Sequence, residues 1–230
     1  MMCNDIEKKA SFSVKEFIHI QYFFTSNQYE LPLHKLTLPT NHQFSPKRLA
    51  DFSSGRYCAT KAIEQLEIKD AIIPIGKDRE PIWPEGIVGS ISHCDRLTGA
   101  IVAKNTHHIS LGLDIEEIGR VTPDLWDLVF TEREKKYLLG LSKIEKEVKS
   151  TAIFSVKEAF YKFQHPLTKT FLDFLDVEVC LEDFSRINVL SNLIPEDSII
   201  RNNRVLYSIE KDCIVSIITQ SEVLQNENIF

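Results

Sequence analysis

Two helix-forming stretches, each followed by short strand-like segments, set the strongest limit on how this 230-residue chain can fold. The first helix starts at Ser45-Pro46, an N-cap hydroxyl followed by proline at the first helical position, and is expected to reach about Leu66. Strand character then appears over Ile87 to Ser92, Gly99 to Ala103 and Ile109 to Glu116. The second helix is expected over about Ser150 to Gln164, stopping before Pro166, because the residue ahead of a proline disfavours helical backbone. Strands over Val177 to Leu181, Val205 to Ile209 and Cys213 to Ile218 follow, and then a polar tail. No repeat of fixed period accompanies this doubling. Helix then strands, twice, is nevertheless the element order of an α/β (α+β) chain made of two similar lobes packed side by side.

Two further local signals fill in the plan. Residues 11–44 are rich in aromatic and β-branched types, including Phe17, Ile18, Tyr22, Phe23 and Phe24, and break at Pro32 and Pro39, so they read as a strand followed by a loop. Thr131 with Glu134 forms a capping box, which starts a charged helix containing Tyr137, Leu138 and Leu141.

Composition decides only broad class. At 43% hydrophobic and 26% charged residues the chain is an ordinary globular one with ample length for a core, so any function must be argued from local residues. A net charge of -6 argues against nucleic-acid binding through an overall positive field, while leaving room for a local basic pocket. The five cysteines are odd in number, widely spaced and free of any C-x-x-C, which suggests neither a disulfide framework nor a zinc site and fits a reducing cytoplasm. Met1 to Ala10 has no apolar core of a leader, and no apolar run approaches the roughly 18 residues of a membrane span. A soluble cytoplasmic protein is expected.

Three charged features stand out. Leu49, Phe52, Ala59, Ile63 and Leu66 share one arc of the first helix, and Arg56 lies inside it. A guanidinium aimed at an apolar face must find an anion, and an internal Asp or Glu is the ordinary one. In Leu111 to Glu116, alternation puts Leu111, Leu113 and Ile115 on one face and Gly112, Asp114 and Glu116 on the other. Two adjacent carboxylates repel unless a cation lies between them, which suits an oxygen-preferring ion such as Mg²⁺, and Gly112 would leave room for a bulky ligand beside it. Alone, such a pair is more often a solvated strand face. On the second helix Ser155, Glu158 and Lys162 share a side away from Ile153, Val156, Phe160 and Phe163. Glu158 and Lys162 read equally as a surface i,i+4 ion pair, or as a third acid and a phosphate-binding cation if the helix packs on the carboxylate strand. His107-His108 reads as a structural turn between strands.

Four segments, taken together, resemble the 4'-phosphopantetheinyl transferase superfamily, in its long type that serves nonribosomal peptide synthetases and includes the enterobactin synthetase component D group. They are Arg56-Tyr57-Cys58-Ala59 with Ala62; Trp83-Pro84-Glu85-Gly86 followed by Gly89-Ser90-Ile91-Ser92-His93; Gly112 to Glu116; and Phe154 to Lys162. The resemblance covers roughly residues 45–165 and departs at Cys94, where a small polar residue is expected after His93.

What the resemblance implies is a pseudo-twofold pair of α/β lobes, residues 1–115 and 116–230, with the active site in the cleft between them. It implies a monomeric enzyme that moves the phosphopantetheine arm of coenzyme A onto a serine of an apo peptidyl, aryl or acyl carrier protein, releasing 3',5'-ADP. The carriers would belong to nonribosomal peptide assembly such as siderophore biosynthesis, or to polyketide or fatty-acid synthases. Asp114, Glu116 and Glu158 would hold Mg²⁺, with Glu158 also serving as base. Lys157 and Lys162 would contact phosphate, Lys162 acting on the leaving group. Ser92 and His93 would hold the pyrophosphate and 3'-phosphate region, and Arg48, Arg56 and Arg79 would line the site for the nucleotide phosphates. Two rivals share parts of this pattern: another Mg²⁺-dependent pyrophosphate-cleaving enzyme, and a non-catalytic module that binds coenzyme A or a carrier.

Overall fold

The computed structural model describes residues 19–26, 29, 45–77 and 79–220. Strand β1 (Gln21–Thr25) precedes helix α1 (Pro46–Glu64), the hairpin β2 (Ile87–His93) and β3 (Thr98–Lys104), and then β4 (Gly112–Glu117). Helices α2 (Trp126–Val129), α3 (Glu132–Leu139) and α4 (Lys143–Thr168) come next. The short strands β5 (Val177–Val179) and β6 (Ile187–Val189) and the hairpin β7 (Asn203–Glu210) and β8 (Cys213–Gln220) complete the order. Most of the strand and loop expected over 11–44, and the polar tail after Gln220, lie outside the described residues.

The doubled order corresponds to doubled topology. One antiparallel sheet runs β1-β3-β2 and the other β4-β8-β7, so each is a strand, a long helix and a returning hairpin whose second strand lies at the centre. Alternation then builds four layers. Ala100 and Val102 of β3 face Ala59, Ala62 and Ile63 of α1, while Ile101 and Ala103 turn to the second sheet. There they join Leu113, Ile115, Val215 and Ile217, whose neighbours Ile214 and Ile218 face Val156, Phe160 and Phe163 of α4. Each of those large buried side chains contributes about 1.5–3 kcal/mol, so this apolar stacking dominates the stability of the arrangement. The division expected at 115/116 falls inside β4, which pairs with β8 from Gly112 to Glu117.

Local chemistry sets the helix ends. Ser45 Oγ accepts from Arg48 N with Pro46 at the first position, and Thr131 with Glu134 forms the expected capping box. Helix α4 is longer than expected at both ends. A second capping box, Ser142 with Glu145, starts it a full two turns before Ser150. Pro166 sits inside its last turn, where the helix is ending anyway, and Lys169 closes it in the left-handed conformation. His108 is buried in the turn before β4 with Nδ1 2.7 Å from Thr219 Oγ1, the structural role expected of it.

Between the sheets β2 and β4 lie side by side, joined by serine hydroxyls in place of a backbone ladder. Ser90 Oγ accepts from Leu113 N at 2.9 Å and Ser92 Oγ from Ile115 N at 3.2 Å. Gly112 does not make room for a ligand: a Cβ there would stand 1.9 Å from the carbonyl oxygen of Ala159, so the glycine lets α4 lie directly on β4. Among the described residues no helix is long and apolar enough to cross a membrane.

Candidate active site

That close approach of α4 to β4 puts Lys162 against Asp114. Lys162 Nζ donates to Asp114 Oδ1 at 2.8 Å, to Ser92 Oγ at 3.1 Å and to the Leu113 carbonyl at 3.0 Å. Ser92 Oγ donates in turn to Asp114 Oδ1 at 3.1 Å. Three of the expected residues, from β2, β4 and α4, therefore meet in one bonded cluster. Glu158 and Lys162 do not pair with each other, since Lys162 is committed to the strand.

The acids around this cluster are under like-charge strain. Burial first, and then Asp114, push the Glu116 carboxyl up to about 7, with Arg120 and Lys162 partly offsetting them. Burial and then Asp114 also raise Glu158, again against Lys162. Asp114 itself is buried, and its Oδ2 has no hydrogen-bond partner. An orphaned carboxylate oxygen costs free energy until a donor or cation reaches it. The donor set is all carboxylate oxygen, which fits a hard divalent ion such as Mg²⁺. Among the described residues no three His, Cys, Asp or Glu side chains are already gathered into a ligand set. The three acids are near enough to perturb one another without converging.

The sign of a pH effect follows. Glu116 ionises near 4.5 in the unfolded chain and about 7 in the folded one, so its stabilising contribution is complete below about 4.5 and lost as pH rises to about 7. With divalent ions chelated, the melting temperature is expected to fall over that window, and Mg²⁺ is expected to restore it above pH 7. Thermal melts at about pH 5 and about pH 7, with and without Mg²⁺, check this; melts indifferent to both would contradict it.

Lys162 also lines a cleft of about 1770 Å³ between α1, the 75–83 loop, β2 and the end of α4. Its walls carry Lys47, Arg48, Arg56, Lys77, Arg79, Lys162 and Lys169 against only two acids, Asp51 and Glu80, so a chain of net charge -6 keeps a strongly cationic groove. His93, exposed at the end of β2, and His165 line it as well. Arg48 and Arg79 are exposed on its rim. The tryptophan run builds the floor. Gly86 turns at φ +77°, and Gly89 lacks the Cβ that would collide with the Trp83 ring at 2.8 Å.

Arg56 behaves as its position on α1 requires. It is buried, its guanidinium lies 4.6 Å over the Phe52 ring, and Nε has no hydrogen-bond partner. Burial alone lowers its pKa to about 10. No carboxylate among the described residues pairs with it, so the internal salt bridge that ordinarily satisfies such a residue is missing and the cation points into the cleft.

Lys157 corrects the expectation that it contacts phosphate. Its Nζ donates to Glu134 Oε2 at 2.6 Å and to the carbonyls of Val129 at 2.9 Å and Phe174 at 2.8 Å, which uses all three ammonium donors inside the core. Glu134 also accepts from Val179 N at 2.9 Å and Thr131 N at 2.9 Å. Lys157 and Lys162 stand about 140° apart on the helical wheel, Lys157 nearer the core side, but the wheel alone does not show which elements pack there. The cleft lysines Lys47, Lys77 and Lys169 were missed by the sequence reading; for Lys77 the signal was its place in the same loop as Arg79. Glu158 lines a smaller cavity of about 220 Å³ beside the cluster, with Tyr161, Phe171, Leu172 and Phe174.

Comparison with known proteins gives one family twice. The 4'-phosphopantetheinyl transferase N-terminal domain matches residues 40–103, and the 4'-phosphopantetheinyl transferase superfamily matches residues 110–214. The chain is 35% identical over 138 residues to 4'-phosphopantetheinyl transferase Svp of Streptomyces mobaraensis, covering 60% of this chain and 56% of that protein. It is 33% identical over 136 residues to 4'-phosphopantetheinyl transferase PptT of Mycobacterium tuberculosis, covering 59% and 60%. Enterobactin synthase component D of Salmonella typhi is 30% identical over 154 residues, covering 63% and 61%. The chain thus spans 56–61% of the length of these curated relatives.

Proposed function

The chain belongs to the 4'-phosphopantetheinyl transferase superfamily, and from that membership we propose that it transfers the phosphopantetheine arm of coenzyme A to a serine of an apo carrier protein. The observation that carries the reading is the Lys162–Asp114–Ser92 cluster, with its orphaned Asp114 oxygen, at the wall of a cationic cleft. Diphosphates need such a combination of clustered oxygen ligands and cations. Asp114, with its orphaned oxygen, and the nearby Glu116 and Glu158 would hold Mg²⁺, which would supply charge neutralisation to the diphosphate when bound.

The chain's own residues do the rest. Arg48, Arg56, Arg79 and His93 bind the nucleotide phosphates along the cleft, and Ser92 orients Asp114 and Lys162. Glu158, raised by burial and by Asp114, is suited to take the proton of the carrier serine hydroxyl, because a base works best when its pKa approaches the working pH. The serine oxygen attacks the β-phosphorus, and Lys162, bonded to the strand but open to the cleft where Lys157 is not, steadies the departing 3',5'-ADP by its charge. Because one chain supplies both walls of the cleft, the enzyme acts as a monomer, in the cytoplasm where coenzyme A and carriers are found. The likeness to enterobactin synthase component D favours carriers of nonribosomal peptide and siderophore assembly. The test is a panel of apo carrier domains incubated with coenzyme A and Mg²⁺ and weighed by mass spectrometry. Adenosine phosphates released with every carrier unmodified would overturn the proposal.

Arg56 offers a separate check. Arg56→Ala is expected to raise the KM for coenzyme A about tenfold or more, and to raise it much less for the analogue lacking the 3'-phosphate, with kcat little changed. Equal effects on both substrates would remove the arginine from the 3'-phosphate.

A further inference from the structure

The two topologically equivalent hairpins, β2–β3 and β7–β8, bring their turns together at one end of the packed sheets. Cys94 follows directly on β2, and its amide donates to the Leu97 carbonyl at 2.9 Å to close the first turn. Cys213 opens β8 after Lys211 and Asp212, both in the left-handed conformation. Cys94 Sγ lies 3.4 Å from Cys213 Sγ. Cys213 is fully buried against the core between the sheets, whereas Cys94 is half-buried and open to small solutes. Among the described residues these are the only two thiols in contact: Cys58 donates to the Thr98 carbonyl, and Cys180 to Glu182.

We propose that Cys94 and Cys213 form a modification site that reacts with hydroperoxides to give a reversible disulfide between the two lobes. The sulfurs must close from 3.4 Å to roughly the 2.05 Å of a bond, a shift within reach of side-chain rotation. Cys94 attacks first, as the accessible thiol. Its thiolate forms an S–O bond with the peroxide as the O–O bond breaks, and the departing oxygen leaves as an alcohol or water after taking a proton. Cys213 sulfur then attacks the Cys94 sulfenic acid, forming S–S and breaking S–O, and the released hydroxide takes the Cys213 proton to become water. Two thiols lose two electrons and one peroxide gains them.

The surroundings favour this order of events. The contact with the Cys213 sulfur holds the Cys94 thiol down to about 7, while Cys213 is pushed up by the same contact and by burial, so the exposed member is the better nucleophile. Burial pushes Cys58 up to about 12, which leaves it inert. The cross-link would tie the residue after Ser92-His93 to the first residue of β8. It would close a loop of roughly 120 residues and stiffen the two lobes against each other.

Peptide mapping of the intact reduced protein, treated with graded hydrogen peroxide and digested without reductant, tests the site. The expected result is a Cys94 peptide joined to a Cys213 peptide with loss of two hydrogens, rising with peroxide and vanishing with dithiothreitol. The oxidised protein should melt on the order of 5 °C higher, and Cys94→Ser should abolish both effects. Free thiols at both positions throughout, or Cys94 carried to sulfinic acid with no linked peptide, would overturn the proposal. Since neither carrier nor coenzyme A is present, the outcome is independent of the transferase reading.

Discussion

Exchanging Glu158 for glutamine is expected to slow carrier modification by about a thousandfold or more while leaving the melting temperature unchanged or slightly higher. The substitution keeps shape and, on the proposed roles of Glu158, would remove both an anionic oxygen ligand and a proton acceptor. A positioned base alone contributes about 10²–10⁴-fold, and loss of a metal ligand adds to that. The side chain is half-buried and lies outside the apolar contacts of α4. Its charge is also disfavoured by Asp114, so neutralising it relieves repulsion. Single-turnover rates beside thermal melts of the two proteins separate the effects. A variant within tenfold of the parent rate would take Glu158 out of the chemistry.

Lys157→Met is expected to act on stability, at about 3–5 kcal/mol, because it strands the buried Glu134 carboxylate without its cation. At 2–4 °C per kcal/mol for a chain of this size, the melting temperature falls by about 10 °C. Adding Glu134→Gln should recover part of the loss, since the remaining partner then carries no charge. Urea titrations of the single and double variants read this directly. A Lys157→Met protein as stable as the parent but with a raised KM for coenzyme A would return the lysine to the phosphates.

The contrast between Lys157 and Lys162 shows what was legible from residues alone. Where a feature is local in the chain it could be read: the Ser45-Pro46 start, the Thr131 and Glu134 capping box, and the alternation that turns Asp114 and Glu116 away from the apolar layer between the sheets. Arg56 was legible as a cation in need of an anion, because helical periodicity put it on the buried arc. Which anion depends on what other elements bring near it, and periodicity carries no such information. The same limit hid the lock on Lys157, which is formed by α3, the end of α2 and the segment after α4. It also misassigned Gly112, whose missing side chain admits a helix rather than a ligand. Strand β5 was legible, within the expected Val177 to Leu181, whereas β6, its partner, is three residues long, too short to show alternation, and is held by that pairing. The early start of α4 is a different case, since Ser142 and Glu145 stand at capping-box spacing in the sequence itself.

Anomalous diffraction from crystals grown with coenzyme A and Mn²⁺ in place of Mg²⁺ addresses the proposed shared ion most directly. A single peak bounded by carboxylate oxygens of Asp114, Glu116 and Glu158, in contact with the diphosphate, is the expected result. A peak held by other residues, with the diphosphate in the cleft and those three acids free of metal, would contradict it.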